Sequence, residues 1–371
     1  MKNILVTIFL TFYLLGTSMM ANGLEKNKDY KSFFFDNLYM PVNARVDFNE
    51  LHYEEDYKVF QDQQRFQMSN LIFGINGLLS NNVGFNFQTV YNSTQLNYNG
   101  ILENIQCANV TYTTNDAHWF FSLGRFFLNV GTAEQSYNPS DVPMYSVIGN
   151  NLGVYKTGAT FQYTTNTKQS FGLQVVNADN PDYEQNMEYN IYWYGHILPD
   201  KILTYMSFTT IQNSEVSRTP YAVNLGLQWL FGDIAIDTDY ARVKNMTNFY
   251  TDATYTSVPI KLAYNGRHFR PYLKYIYNEV DFGDESFDIE LEDGTSQTIV
   301  NTAAHTIELA LQYYPFDNKN FRFHLVGGYT SDGNISVSAP EGSANNSRQH
   351  YNAKYQILAG ICVNFDLLKG W

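Results

Sequence analysis

Beyond residue 40 the chain alternates. Over segments of about ten residues, apolar or aromatic side chains fill every second position with polar or small ones between them, the period of a β-strand rather than a helix. Tyr221, Val223, Leu225, Leu227, Trp229 and Phe231 share one face, and Ala222, Asn224, Gly226, Gln228 and Leu230 the other. The same reading fits Val83, Phe85 and Phe87; Val258, Ile260, Leu262 and Tyr264; and Ile307, Leu309, Leu311 and Tyr313. The pattern predicts about sixteen strands, starting near residues 42, 65, 83, 100, 119, 152, 169, 187, 202, 219, 234, 253, 269, 299, 321 and 351.

The links between these segments are of two kinds. Brief ones near residues 80–82, 113–117, 165–168, 198–201, 232–233, 265–268 and 315–320 alternate with longer, more polar ones. A barrel crossing a bilayer has this organisation, with tight turns at one end and long loops at the other, and an even strand count puts both termini on the short-turn side. A soluble sandwich also alternates, but its outer face is polar. Here the apolar face carries aromatics near strand ends, Trp119, Tyr163, Trp193, Tyr221, Trp229, Tyr264 and Tyr313, as a bilayer interface selects. After residue 23 no apolar stretch approaches the roughly 18 residues of a spanning helix. The expected fold is all-β, a transmembrane antiparallel barrel over residues 41–371.

The two ends refine this. Lys2, an apolar run from Ile4 to Leu15 and the small-x-small group Ala21-Asn22-Gly23 read as a cleaved Sec-type signal peptide over residues 1–23, which directs the chain through the inner membrane of a Gram-negative-type bacterium toward the outer one. No cysteine follows the run, which argues against a lipoprotein. Residues 24–40 read as a periplasmic linker containing Phe33, Phe34 and Phe35. In the last strand Ile357, Ala359, Ile361, Val363, Phe365, Leu367 and Trp371 lie on one parity, interrupted by Lys369, similar to the terminal strand that the barrel assembly machinery recognises.

Composition removes several function classes. With 371 residues, a formal charge of -13 and 23 Lys plus Arg against 36 Asp plus Glu, the chain lacks the basic footprint of nucleic-acid binding. Two cysteines without a CxxC group give no disulfide framework and no structural zinc site. Cys107 and Cys362 fall on predicted strands four apart, too far to bridge at about 4.8 Å per strand. The seven histidines are dispersed, His305 and His324 coming nearest to a facing pair, and no GxSxG, HExxH or Walker pattern occurs. Neither an enzyme nor a cofactor is expected.

The segment Phe66-Gln-Met-Ser-Asn-Leu-Ile-Phe-Gly-Ile-Asn-Gly with Val83-Gly-Phe-Asn-Phe-Gln, and Phe121-Ser-Leu-Gly-Arg-Phe-Phe with Gly153-Val-Tyr-Lys-Thr-Gly-Ala-Thr-Phe-Gln-Tyr, resemble early strands of the phosphate-selective porin O/P family. The porin resemblance implies that the link after the fifth strand, residues 131–151 with Glu134, Pro139, Asp141 and Pro143, folds inward as a constriction loop, and that the protein is a homotrimer. The chain departs from the phosphate-selective pattern in having no evident ladder of basic residues, which puts phosphate selectivity in doubt.

A barrel of about sixteen strands leaves an aqueous channel. Strand parity predicts Arg45, Arg125, Lys156, Lys261, Arg270, Lys274 and Arg322 inward, with Asp47, Glu188, Asp237, Asp239 and Glu308, because such charges are costly against lipid. With Glu134 and Asp141 from the loop, opposing rows of charge would set a transverse field and an ion preference. Arg125, beside the constriction loop, is the first choice among them. Acids cluster elsewhere: residues 50–56 hold four, 179–185 three and 281–293 seven, none with Lys or Arg among them. Their place in or beside long links predicts an acidic outer mouth amid lipid and lipopolysaccharide, and a mild cation preference. The expected function is passive diffusion of small hydrophilic solutes and ions. The alternatives are a substrate-specific channel for an anion such as phosphate or a sugar, with Tyr192 and Tyr194 as a track, and a non-conducting structural or adhesive surface barrel.

Overall fold

The computed structural model describes residues 36–53, 62–91, 104–178, 187–210, 221–244, 253–281, 287–290, 296–299, 301–331, 333–337, 349–351 and 353–368. The signal-peptide segment, Phe33 to Phe35, Lys369, Trp371 and most of the three acidic clusters lie outside the described residues.

Sixteen antiparallel strands form one closed sheet. They are β1 Pro41–Tyr53, β2 Gln63–Leu78, β3 Val83–Tyr91, β4 Ile105–Thr113, β5 Trp119–Phe127, β6 Tyr155–Thr164, β7 Ser170–Asn177, β8 Met187–Leu198, β9 Ile202–Thr210, β10 Tyr221–Phe231, β11 Ile234–Lys244, β12 Thr254–Tyr264, β13 Tyr272–Asp281, β14 Asn301–Tyr313, β15 Phe321–Thr330 and β16 Lys354–Asp366. Each pairs with its sequence neighbours, and β16 also pairs with β1 from Pro41↔Asp366 to Tyr53↔Lys354, which closes the barrel and leaves no open edge in the bilayer. Leu38–Tyr39, at the end of the predicted linker, adds a short pairing to Gly77 and Asn76 of β2.

The tight turns are built where the sequence predicts them. Ala117, Lys168, Asp200 and Lys319 take the left-handed conformation, and the two-residue link between β10 and β11 does so at Gly232, φ 63°. Only a short-range reversal of this kind keeps strands in register through so few residues. Exposed Leu225, Ile260, Leu262, Ile307, Leu309 and Leu311 form the lipid-facing belt on the predicted parity. At the tight-turn end it is bordered by Trp119 against Tyr163, ring centroids 4.9 Å apart, Phe171 stacked on Trp193 and Phe269 against Tyr313. Phe208–Tyr221 and Tyr329–Tyr355 pair near the long-loop end. Rings at both rims match a membrane-spanning barrel.

Between β5 and β6 the chain leaves the wall and enters the lumen. Its base is held by an apolar cluster in which Leu128 and Val130 pack with Phe126 and inward-facing Val176. Such side chains would be out of place in a wet lumen, and burying each stabilises the loop base by about 1.5–3 kcal/mol. The loop then carries two short helices, α1 Ala133–Ser136 and α2 Val147–Asn151, with a 3-10 turn Pro139–Asp141 between them.

Candidate functional site

The loop crosses the barrel by a sequence of polar contacts to the wall. Gly131 N donates to Ser207 Oγ of β9 at 2.9 Å. At the start of α1, Ala133 N and Glu134 N donate to the two carboxylate oxygens of Asp239 on β11, at 2.8 and 2.9 Å. That places a wall carboxylate at the helix's unpaired N–H groups. Tyr137 Oη donates to Asp237 Oδ2 at 2.7 Å while Gln228 Nε2 donates to Asp237 Oδ1 at 2.9 Å. Burial and the Asp237 carboxylate hold the Tyr137 phenol well above its ordinary value, so it stays a donor.

At the far wall the tip is gripped around Ser140. Its carbonyl accepts from Arg322 Nη2 at 2.7 Å and Arg45 Nη1 at 3.4 Å. Its hydroxyl donates to Asn43 Oδ1 and accepts from Asn70 Nδ2. Asp141 pairs with Arg322. On the return path Lys274 Nζ donates to Glu134 Oε1 and Met144 O, both at 2.7 Å, and Glu134 also accepts from Ser146 N at 3.0 Å and Ser146 Oγ at 2.5 Å. Val147 N reaches Asn278 Oδ1 at 3.0 Å. A buried carboxylate with three donors is well compensated, and deleting one partner of such a pair costs about 3–5 kcal/mol.

The structure thus brings together Arg45, Asp47, Glu134, Asp141, Asp237, Asp239, Lys261, Lys274, Glu308 and Arg322 around the loop. It joins the charges rather than setting them in opposing rows: Arg45 pairs with Asp47 at 2.8 Å, Lys274 with Glu134, Arg322 with Asp141, and Lys261 lies 4.0 Å from Asp237. Lys156 and Glu188 pair at 3.3 Å on the wall of β6 and β8, away from the tip.

Two expectations need correction, those for Arg125 and for the His305–His324 pair. Arg125 shares the outward parity of Trp119 and Leu123, the latter 70% exposed, and pairs across the sheet with Ala108, while its Nε donates to Ile105 O at 2.7 Å. An arginine is tolerated on that parity near a strand end because its long stem lets the charged head reach polar atoms. Arg270 keeps the inward parity at the edge of the turn between β12 and β13, where Nε donates to Gly266 O and the guanidinium sits 4.8 Å over the Tyr314 ring. His305 and His324 face opposite sides, His305 outward against Tyr275 and His324 inward on Asp47. That Asp47 carboxylate bridges His324 and Ser69, so the histidine is not between acid and hydroxyl as a nucleophilic set requires.

Sequence reasoning missed Asn43, Asn70, Tyr137, Ser140, Ser146, Gln228 and Asn278, uncharged residues that carry much of the docking. The readable signal was inward parity near the level of the loop, shared by Asn43 with Arg45 and by Asn278 with Lys274.

The family model for phosphate-selective porins O and P matches residues 40–199, which includes β1 to β8 and the whole loop. Over those residues, fewer than half of the chain, this protein resembles that family. No curated protein matches it. Among solved structures, the anion-selective porin from Comamonas acidovorans is similar at TM-score 0.60 and 12% identity, over 88% of this chain and 98% of that one. OmpF of Salmonella typhi, solved with daunomycin, gives 0.60 and 12% over 92% and 100%. OmpT of Vibrio cholerae gives 0.57 and 11% over 88% and 97%. At these identities the likeness is one of fold, and the pairing of lumen charge in this chain is read from its own residues.

Proposed function

We propose that this protein is a passive outer-membrane channel for small hydrophilic solutes and ions, with the loop 128–154 as its constriction and the open route between that loop and the wall of β2 to β6. The observation that carries the reading is the loop itself, held across a closed sixteen-strand barrel by buried ion pairs and hydrogen bonds. Ions joined in pairs present little net field, so selectivity is weak and size governs passage. The acidic segments at the long-loop end add a mild bias toward cations. Residues 1–23 act as the cleaved signal, and the C-terminal strand is what the assembly machinery reads. The protein works as a homotrimer in lipid and lipopolysaccharide; OmpT of Vibrio cholerae is described in a trimer form. Neither a covalent step nor a cofactor is involved, and no arrangement among the described residues provides a nucleophile with its base.

The test is single-channel recording of detergent-purified protein in planar bilayers. Discrete ohmic steps are expected; their absence from protein with heat-modifiable gel mobility would overturn the proposal in favour of a closed structural barrel.

A further inference from the structure

His324 of β15 points inward and is 6% exposed. Its Nε2 meets the Asp47 carboxylate of β1, although β16 runs between those two strands. Gly360 stands opposite both residues on β16, and a Cβ there would fall 2.6 Å from Asp47 Oδ1 and 2.2 Å from Val46 O. The two side chains therefore meet over a gap that only glycine leaves. Asp47 is fully buried and is also engaged by Arg45, 2.8 Å away, and by the Ser69 hydroxyl. The second ring nitrogen, His324 Nδ1, is buried without a hydrogen-bond partner among the described residues.

The next inward row toward the tight turns holds the loop tip. Arg322, Cys362 and Arg45 stand opposite one another on β15, β16 and β1, and both guanidiniums reach the Ser140 carbonyl. The charged groups around His324 are thus Asp47 and Arg45 from β1, Arg322 from its own strand and Asp141 from the loop. β14 presents Gln312 directly opposite, with Tyr314 on one side of it and Glu308, bonded to Tyr272 Oη of β13, on the other. β16 adds the Cys362 thiol, and β2 the Ser69 hydroxyl. With a neutral imidazole, two arginines face two carboxylates. One added proton makes three cations against two, and gives Nδ1 a buried N–H with no acceptor, which is costly.

We infer that His324 is an acid-responsive release for the tip of the loop. Its protonation divides the Asp47 charge between the imidazolium and Arg45 and sets a new cation beside Arg322, so the hold of both arginines on Ser140 weakens and the tip fluctuates. Imidazole is the side chain whose ordinary titration falls between about pH 5 and 8. The release acts on the tip alone, since α1 keeps its bonds to Asp239 and α2 its bond to Asn278. The inference rests on the channel reading.

The experiment is single-channel recording of the wild type, His324→Gln and His324→Asn in symmetric KCl at about pH 7.5 and about pH 5.5. In the wild type the frequency of brief flicker is expected to rise about tenfold on acidification, with little change in the mean step. His324→Gln can still donate a hydrogen bond to Asp47 but gains no charge, and is expected to be as quiet at the lower pH as at the higher. His324→Asn supplies the same comparison if the glutamine variant does not fold. A wild type whose flicker is the same at both pH values would overturn the inference. So would an acid response of wild-type size in the variants, which would assign it to another group, such as the Asp239 carboxylate that holds α1. Failure of the channel reading looks different, since the wild type would then show no steps at either pH.

Discussion

Two walls of this barrel share one period and differ in chemistry. From β11 through β15 to β1 the inward positions include Asp237, Asp239, Lys261, Lys274, Glu308, Arg322 and Arg45. Across β2, β3 and β4 the facing row is Asn76, Asn86 and Asn109, registered strand to strand. The charged wall is covered, because the loop's own donors and carboxylates land on it; from the amide wall, among the described residues, the loop takes a hydrogen bond from Asn70 at its margin. Density of lumen charge is therefore a guide to where the loop docks. Buried charge here fixes the position of a loop, and we propose that water and solute pass on the side of β2 to β4.

The contrast can be broken first at the helix end that caps a wall carboxylate. Asp239→Leu should strip Ala133 N and Glu134 N of their acceptor at a cost of about 3 kcal/mol or more, giving larger and noisier single-channel steps. Steps identical to the wild type would mean that α1 is held by other contacts. Ser140→Ala comes next: it removes two side-chain hydrogen bonds to Asn43 and Asn70 but leaves the carbonyl on Arg322, so the tip should loosen by about 1–2 kcal/mol and produce brief flicker without a change in mean conductance.

On the opposite wall, Asn86→Asp places an unpaired negative charge where we propose that ions pass, and should raise the cation-to-anion permeability ratio measurably. If charge on that wall had no influence, the proposed route would be wrong. Arg125→Gln, outward and distant from the tip, should leave the reversal potential unchanged. The smallest effect concerns the tight-turn rim. There the Arg267 guanidinium, 2.8 Å from Asp317, holds that exposed carboxyl below the usual carboxylate range, so its stabilising contribution is present above the ordinary aspartate pKa and fades as pH falls through the lowered value. Arg267→Gln should slightly flatten the acid side of the melting-temperature profile, and Arg125→Gln should not.

The sequence is explicit about the wall and silent about the loop's path. Period two specifies strands because one face meets lipid, so a slip of one residue would turn Leu309 and Leu311 into the lumen. Strand starts at 83, 119, 187, 202, 234 and 321 coincide with those in the sequence pattern, and β4, expected from residue 100, begins at Ile105. Arg125 shows the cost of letting charge override period: Trp119, Phe121 and Leu123 already put that parity outward. Glu134 and Asp141 were legible as constriction-loop acids, but not that one would accept Lys274 from β13 and the other Arg322 from β15. Those partners are 140 and 181 residues away in sequence, and only the closed sheet brings them to the loop.

The most direct test of the account is the single-channel conductance of a variant in which residues 132–150 are replaced by a short Gly-Ser link, compared with the wild type under the same salt, with folding checked by gel mobility. A loop docked across the lumen on the charged wall predicts a severalfold larger conductance and a larger size limit for sugars in liposome swelling. A conductance and size limit equal to those of the wild type would contradict it, and would place the narrowest point of the channel elsewhere.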